Sequence, residues 1–297
     1  MNLKEASVRG LLTSEKLSYT NSLLLLNELK MMSRDYRFLH EDEQLIWSEL
    51  KEQVIVGWIG NKTPIRKSLF HQYPKAVRHF LSLFPNNYLD IKFLKDKENL
   101  KEEYQIFLNI FERKSLTERE ILNYINDSRE FLIGSLLKKY FNFGHHEAHV
   151  FNEFRLGTSF KADYLLLGEN SDGWHFVFVE LEAPSGSITL QNGDFGNVLR
   201  KGESQVKDWE IWLEENFNSL SEFFNRHKTI EKSLPHEFYK LDKTLIHFVV
   251  IAGRRKDFNQ RTYRIRREGE QNRKLFLHYD NLIDSVKQLI EPNTFTY

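Results

Sequence analysis

The sequence predicts a mixed α/β fold, a sheet flanked by helices and preceded by a mostly helical N-terminal part. Three observations carry this reading. Residues 1–115 place apolar clusters at helical spacing, the period shifts to extended after Gly144, and Thr244–Ala252 is almost wholly apolar, as a central strand would be.

In the N-terminal part, Leu23–Leu26, Leu29 and Met32 form one apolar cluster, and Leu45, Trp47, Leu50, Val54 and Ile55 form a second. Ala76, Val77, Phe80, Leu81 and Leu83 continue the pattern until Pro85-Asn-Asn breaks it, and Tyr104, Phe107, Leu108 and Phe111 make another stripe. These aromatics read as core. A boundary falls near Lys114–Thr117, where Ser115-Leu-Thr117-Glu-Arg-Glu120 supplies capping-type residues ahead of Ile121, Leu122, Tyr124 and Ile125. The division is thus 1–115, a sensor or assembly part, and 116–297. The stripe Phe131, Leu132, Leu136, Leu137, Tyr140 extends the helix to Phe143-Gly144.

Val150–Leu156, Ala162–Leu167 and His175–Leu181 then read as three successive strands, the last two joined by Asn170-Ser-Asp-Gly173. A loop rich in Gly, Ser and Asn runs from Pro184 to Asn197. Leu199, Gly202, Val206, Trp209, Leu213 and Phe217 mark one helical face, and after the Thr244–Ala252 strand come a basic segment, a short strand at Leu275–Tyr279 and a helix at Asp280–Leu289.

Composition bounds the function classes. With 40% hydrophobic and 28% charged residues the chain reads as globular. No apolar run approaches a bilayer-spanning length, the first residues lack a secretory layout, and cysteine is absent, which together point to the cytoplasm and to no thiolate chemistry. Forty-two basic residues balance 42 acidic ones, so a uniformly basic coat is excluded while local patches are not. Arg254 to Lys274 holds nine basic residues against three acids, a local excess whose plainest form is an exposed loop of solvated arginines.

Candidate chemistry lies on the second and third strands. Lys161-Ala-Asp163 opens one and Glu180-Leu-Glu182-Ala-Pro184 closes the next. Carboxylates are depleted in strands, and alternation puts Lys161 with Asp163 and Glu180 with Glu182 on shared faces. Three acids closing on one hairpin repel one another in a low-dielectric setting, and a divalent cation removes that repulsion. Oxygen donors suit Mg²⁺, with Mn²⁺ as substitute, and Mg²⁺ activates water against a phosphodiester. On the following helix Lys201, Gln205 and Trp209 share a side, so the Gln205 amide looks toward the sheet. His145-His146-Glu147-Ala148-His149 is not the H-E-x-x-H zinc spacing, and the glycines of Ser185–Gly196 lack the Gly-Lys-Ser/Thr of a phosphate loop.

Glu153, the Asp163 strand, Glu180-Leu-Glu182-Ala-Pro184 and Gln205-Val-Lys-Asp-Trp209 resemble the PD-(D/E)XK nuclease superfamily, and more specifically the Shedu anti-phage nuclease domain. Val249-Val-Ile-Ala-Gly253-Arg254-Arg255 and His278-Tyr279-Asp280-Asn281-Leu282 resemble that domain's closing segments, and the resemblance covers about Leu116–Leu289. It implies a restriction-endonuclease-like sheet and a Mg²⁺-dependent DNA endonuclease of bacterial defence, often a homo-oligomer. By the same resemblance Asp163 and Glu180 bind the metal, Gln205 positions phosphate or water, and Glu153 is an accessory acid. The chain departs from the superfamily where its usual lysine is Glu182, a third ligand or general base, with Lys161, Lys201 or a second metal ion supplying the missing charge. Lys161, Lys201, Arg254 and Arg255 are the candidate DNA contacts. The same departure also suits a second reading, an inactive nuclease fold that binds DNA or assembles partners.

Overall fold

The computed structural model describes residues 35–37, 44–45, 47–48, 55–59, 63–66, 74–89, 98–113, 115–141 and 147–291. The chain packs as two compact units, 1–82 and 83–297. This division lies upstream of the Lys114–Thr117 boundary expected from the sequence. The helix at Glu98–Ile110 gives Leu100, Phe107 and Ile110 to a core shared with the residues that follow, so it belongs to the second unit.

In the first unit, β1 (Ile55–Ile59) and β2 (Thr63–Arg66) pair antiparallel, and α1 (Pro74–Leu81) follows. Ile55, read above as helical, is therefore in a strand. The run Val54-Ile-Val-Gly-Trp-Ile59 is rich in β-branched residues and ends at Gly60-Asn61, a strand-and-turn signal that outweighs the apolar spacing. The expected helical clusters at Leu23–Met32, and Leu50 and Val54, lie outside the described residues.

In the second unit, α2 (Glu98–Ile110), α3 (Glu118–Asn126) and α4 (Phe131–Leu136) precede the sheet. Thr117 caps α3 as its sequence predicts: the Glu120 N–H donates to Thr117 Oγ1 (3.3 Å) and the Thr117 N–H donates to Glu120 Oε2 (2.9 Å). The apolar stripe predicted as one continuous helix is two, because Ser128 takes a left-handed φ of 60° between α3 and α4.

The sheet is five-stranded in the order β3 (Ala148–Leu156), β4 (Phe160–Asn170), β5 (Gly173–Leu181), β6 (Ile246–Ile251), β7 (Lys274–Leu277). The first three strands form an antiparallel meander, and β6 and β7 add parallel to β5. Parallel addition needs a crossover. The chain supplies one through α5 (Asn197–Asn216) and α6 (Leu220–His227), and another through α7 (Gln260–Gln271), before ending on α8 (Tyr279–Ile290). Alternating strand residues divide the core. Val177, Val179, Val249 and Ile251 pack with α2, α3, α4 and α8, while Phe176, Phe178, Phe248 and Val250 pack with α5 and α6. The mixed sheet flanked by helices that the sequence predicts is the architecture observed.

The middle of the basic segment, Gln260–Gln271, is a helix rather than a loop. Asn259 caps α7 by accepting from the Arg261 and Thr262 N–H groups, and Arg264–Glu268 and Arg266–Glu270 pair at helical spacing along it. Arg261 and Lys274 are tied outward to Asp194 and Glu210, so much of the local excess of charge is matched across the fold. No described helix is long and apolar enough to cross a membrane.

Candidate active site

Antiparallel pairing of β4 with β5 brings the acids together. Tyr164 pairs with Val179, and one step beyond that pair Asp163 and Glu180 stand across from each other where the ladder opens. Asp163 takes the place of a ladder carbonyl, its Oδ2 accepting from the Leu181 N–H at 2.7 Å. Strict alternation does not survive around it: Ala162 and Leu165, three residues apart, enter the same core, and Glu153 on the neighbouring strand has φ 48°. The shared face expected for Lys161 and Asp163 therefore does not follow from a two-residue period. Lys161 Nζ instead donates to Glu153 Oε1 at 2.5 Å, an exposed pair beside the buried acids.

Glu180 and Glu182 continue the face of Phe176 and Phe178, toward α5. There Gln205 Nε2 donates to Glu180 Oε1 (2.6 Å) and Lys201 Nζ donates to Glu182 Oε2 (2.8 Å). Gly202 lets the helix come this close, since a Cβ at that position would lie 2.6 Å from Val250 Cγ1 and 3.2 Å from Glu182 Cγ. Trp209 is packed two turns further along. From the other side, the buried Tyr279 hydroxyl donates to the Glu182 carbonyl at 2.7 Å, fixing the end of β5.

The three acids are out of water, with Asp163 9%, Glu180 4% and Glu182 2% exposed. Burial pushes Asp163 up to about 7, against the Leu181 N–H that favours its charged form. It pushes Glu180 up to about 9, reinforced by the charges of Asp163 and Glu182. Glu182 is raised by burial and restrained by Lys201, and Lys201, though burial pulls it down, is held above its usual value by Glu182. Glu118, in the first turn of α3, adds its negative charge to the field at Asp163, Glu182 and Lys201.

Glu180 Oε2, Glu182 Oε1 and Gln205 Oε1 are buried without a hydrogen-bond partner. Unsatisfied buried oxygens are costly, and a hard cation is the ligand that suits carboxylate and amide oxygens together. Among the described residues, however, no three carboxylate or imidazole groups are arranged to hold an ion. The three-acid cage expected of Asp163, Glu180 and Glu182 is thus not preformed. The Lys201 ammonium and the Gln205 amide partner Glu182 and Glu180, and burial raises the proton affinity of Glu180.

Asp163, Glu180, Glu182, Lys201 and Gln205 come together, and Glu153 lies apart with Lys161. Arg254 spends its donors on protein: Nε and Nη2 clamp Asp280 (3.1 and 2.7 Å) and Nη1 donates to the Phe111 carbonyl (3.1 Å). Arg255 pairs with Asp284 at 2.6 Å. Glu147 and His149 are bonded to each other at 2.9 Å, and His145 and His146 lie outside the described residues. Sequence reasoning missed Glu118 and Tyr279 as members of the site, because both arrive from helices distant in the chain. The only sequence signal for Glu118 is its place just after a capping threonine.

The site is thus a cluster of paired acids at the open ends of two adjacent strands, with a lysine and a glutamine presented by the next helix. Residues 115–283 match the family described as Shedu protein SduA, C-terminal, and the chain belongs to that family. Among solved structures it is similar to the restriction endonuclease FokI bound to DNA, at 14% identity and TM-score 0.29, over 93% of this chain and 46% of that one. The chain thus spans less than half the length of that protein. No curated protein matches the sequence.

Proposed function

We propose that the protein is a metal-dependent DNA endonuclease of a bacterial anti-phage defence system, acting in the cytoplasm as a homo-oligomer. Family membership supports the defence role. The observation that carries the chemistry is the facing of Asp163 and Glu180 across the opened β4–β5 ladder, with partnerless carboxylate oxygens on Glu180 and Glu182.

Asp163 and Glu180 would hold Mg²⁺ or Mn²⁺, with Glu182 as a third oxygen donor. The ion would supply charge for the phosphate and an acidified water for attack on phosphorus. Where Glu182 Oε1 does not hold the ion it would accept the proton that water gives up, while Glu182 Oε2 keeps the Lys201 ammonium at the site, where the superfamily's usual lysine would bring a positive charge. Gln205 orients Glu180 through Nε2 and leaves Oε1 to orient water. As the new P–O bond forms, the bond to the leaving deoxyribose oxygen would break and that oxygen would be protonated from solvent.

The test is plasmid and linear DNA with Mg²⁺ or Mn²⁺, comparing the wild type with Asp163→Ala and Glu180→Ala. Cutting by the wild type alone is expected. Equal cutting by all three would remove these acids from the chemistry. The second reading, an inactive nuclease fold that binds DNA, is favoured by the Glu182 departure and by the absence of a preformed three-acid cage among the described residues. Tight binding with no cutting by the wild type would establish it. Light scattering on the purified protein tests the oligomer.

A further inference from the structure

A cleft of about 840 Å³ opens beside the ends of β5 and β6, between the loop that follows Glu182 and the turn that follows Ile251. Its walls continue the strands that carry the acids. The Gly253 N–H donates to the Ala183 carbonyl (3.1 Å) and the Tyr279 N–H to the Gly253 carbonyl (3.0 Å), so the turn is fixed to the end of the Glu180–Glu182 strand. Gly253 has φ +66°, and a Cβ there would lie 2.7 Å from Ile188, so the turn needs glycine.

The cleft is lined by Arg113, Arg254, Arg255 and Lys256 against Glu112, Asp257 and Asp280. These charges are not equivalent. Arg254 is only 25% exposed and Asp280 faces it in a bidentate pair, while Asp257 Oδ2 accepts from the Arg254 N–H at 2.8 Å. Arg254 and Asp280 cancel one another, and the Asp257 carboxylate is held by the Arg254 backbone N–H. Arg113 is 62% exposed and only 3.8 Å-close to Glu120, Arg255 is 58% exposed in a surface pair, and the exposed Lys256 forms no ion pair among the described residues. Exposed pairs hold their partners weakly, so all three cations can be turned to another anion. Opposite them, the loop Pro184-Ser185-Gly186 adds no charge.

We propose that this cleft carries the phosphate backbone of the nucleic-acid strand that leads away from the acids, gripped by Arg113, Arg255 and Lys256. The assignment rests on the DNA endonuclease reading. Arg254 is the positioning residue that fixes the wall, and Arg113 and Lys256 join the binding surface from separate segments of the chain. Contacts of this kind position a backbone without reading bases.

The experiment measures anisotropy of a fluorescein-labelled DNA duplex bound to the full chain in EDTA, across a series of salt concentrations. Arg113→Ala/Lys256→Ala is compared with Lys207→Ala/Lys243→Ala, which removes equal charge beside α5. Removing two phosphate contacts is expected to weaken binding by about tenfold or more and to lower the salt slope by about two. The control pair should leave both unchanged, and Arg113→Lys/Lys256→Arg should restore them. Unaltered affinity and slope in Arg113→Ala/Lys256→Ala, or an equal loss in the control pair, would overturn the cleft while leaving DNA binding intact. No DNA binding by the wild type at any salt would overturn the nucleic-acid reading and the cleft with it.

Discussion

Glu180→Gln should stabilise the fold while abolishing its response to metal. Glu180 is almost wholly buried, and the folded chain keeps its proton up to about pH 9 where an unperturbed glutamate releases it near 4.5. Because the native state then binds a proton that the unfolded state has lost, stability falls as pH rises from 4.5 to about 9. At pH 7 that difference amounts to about 3 kcal/mol against the fold. Glutamine keeps the shape and an oxygen for Gln205 Nε2 to donate to, yet has no proton to lose. The variant should therefore gain up to about 3 kcal/mol at pH 7, a Tm rise of roughly 6–12 °C for a unit of this size, and no gain near pH 4. Urea denaturation in EDTA, followed by emission from the buried Trp174 and Trp209, reads the effect at several pH values. Adding Mg²⁺ should raise wild-type stability and leave the variant unmoved. A variant that is less stable at pH 7, or that keeps the wild-type pH slope, would refute the account of a buried, protonated acid.

Other outcomes follow from the same geometry. Mg²⁺ binding must displace protons from Asp163 and Glu180, so apparent affinity in a calorimetric titration should rise with pH through 7 to 9, and a pH-independent affinity would exclude them as ligands. Gly202→Ala should cost about 1–3 kcal/mol in urea denaturation, because its Cβ would collide with Val250 and push Lys201 and Gln205 away from the acids; unchanged stability would contradict that close approach. Tyr279→Phe should lose about 1 kcal/mol by the same assay, as the Glu182 carbonyl loses its hydroxyl donor. Arg254→Lys should be destabilised by about 1–3 kcal/mol, since an ammonium cannot reproduce the bidentate clamp on Asp280 together with the bond to the Phe111 carbonyl; wild-type thermal stability would show the clamp to be idle.

The sequence by itself determined the parts whose causes are local. Extended apolar runs joined by the Asn170–Gly173 turn marked the meander, the capping box at Thr117 marked the start of α3, and helical spacing put Lys201 and Gln205 on one side of α5. It also marked Asp163, Glu180 and Glu182 as acids out of place in strands. Where two local signals competed, spacing misled, as at Ile55, whose β-branched neighbours place it in a strand. The basic segment read as a loop because two of its cations, Arg261 and Lys274, find their partners Asp194 and Glu210 far away in the chain. Only the tertiary structure decided how the acids are reconciled. A two-residue period cannot foresee the interruption beside Glu153, the Leu181 N–H that holds Asp163, or the approach of α5 that seats Lys201 against Glu182. Nor could it foresee that Arg254 is bound to Asp280 while Arg113 and Lys256 stand open to solvent. The physical reason is that alternation and caps depend on neighbours a few residues apart, whereas charge compensation and burial depend on groups brought together by the sheet register and the crossovers.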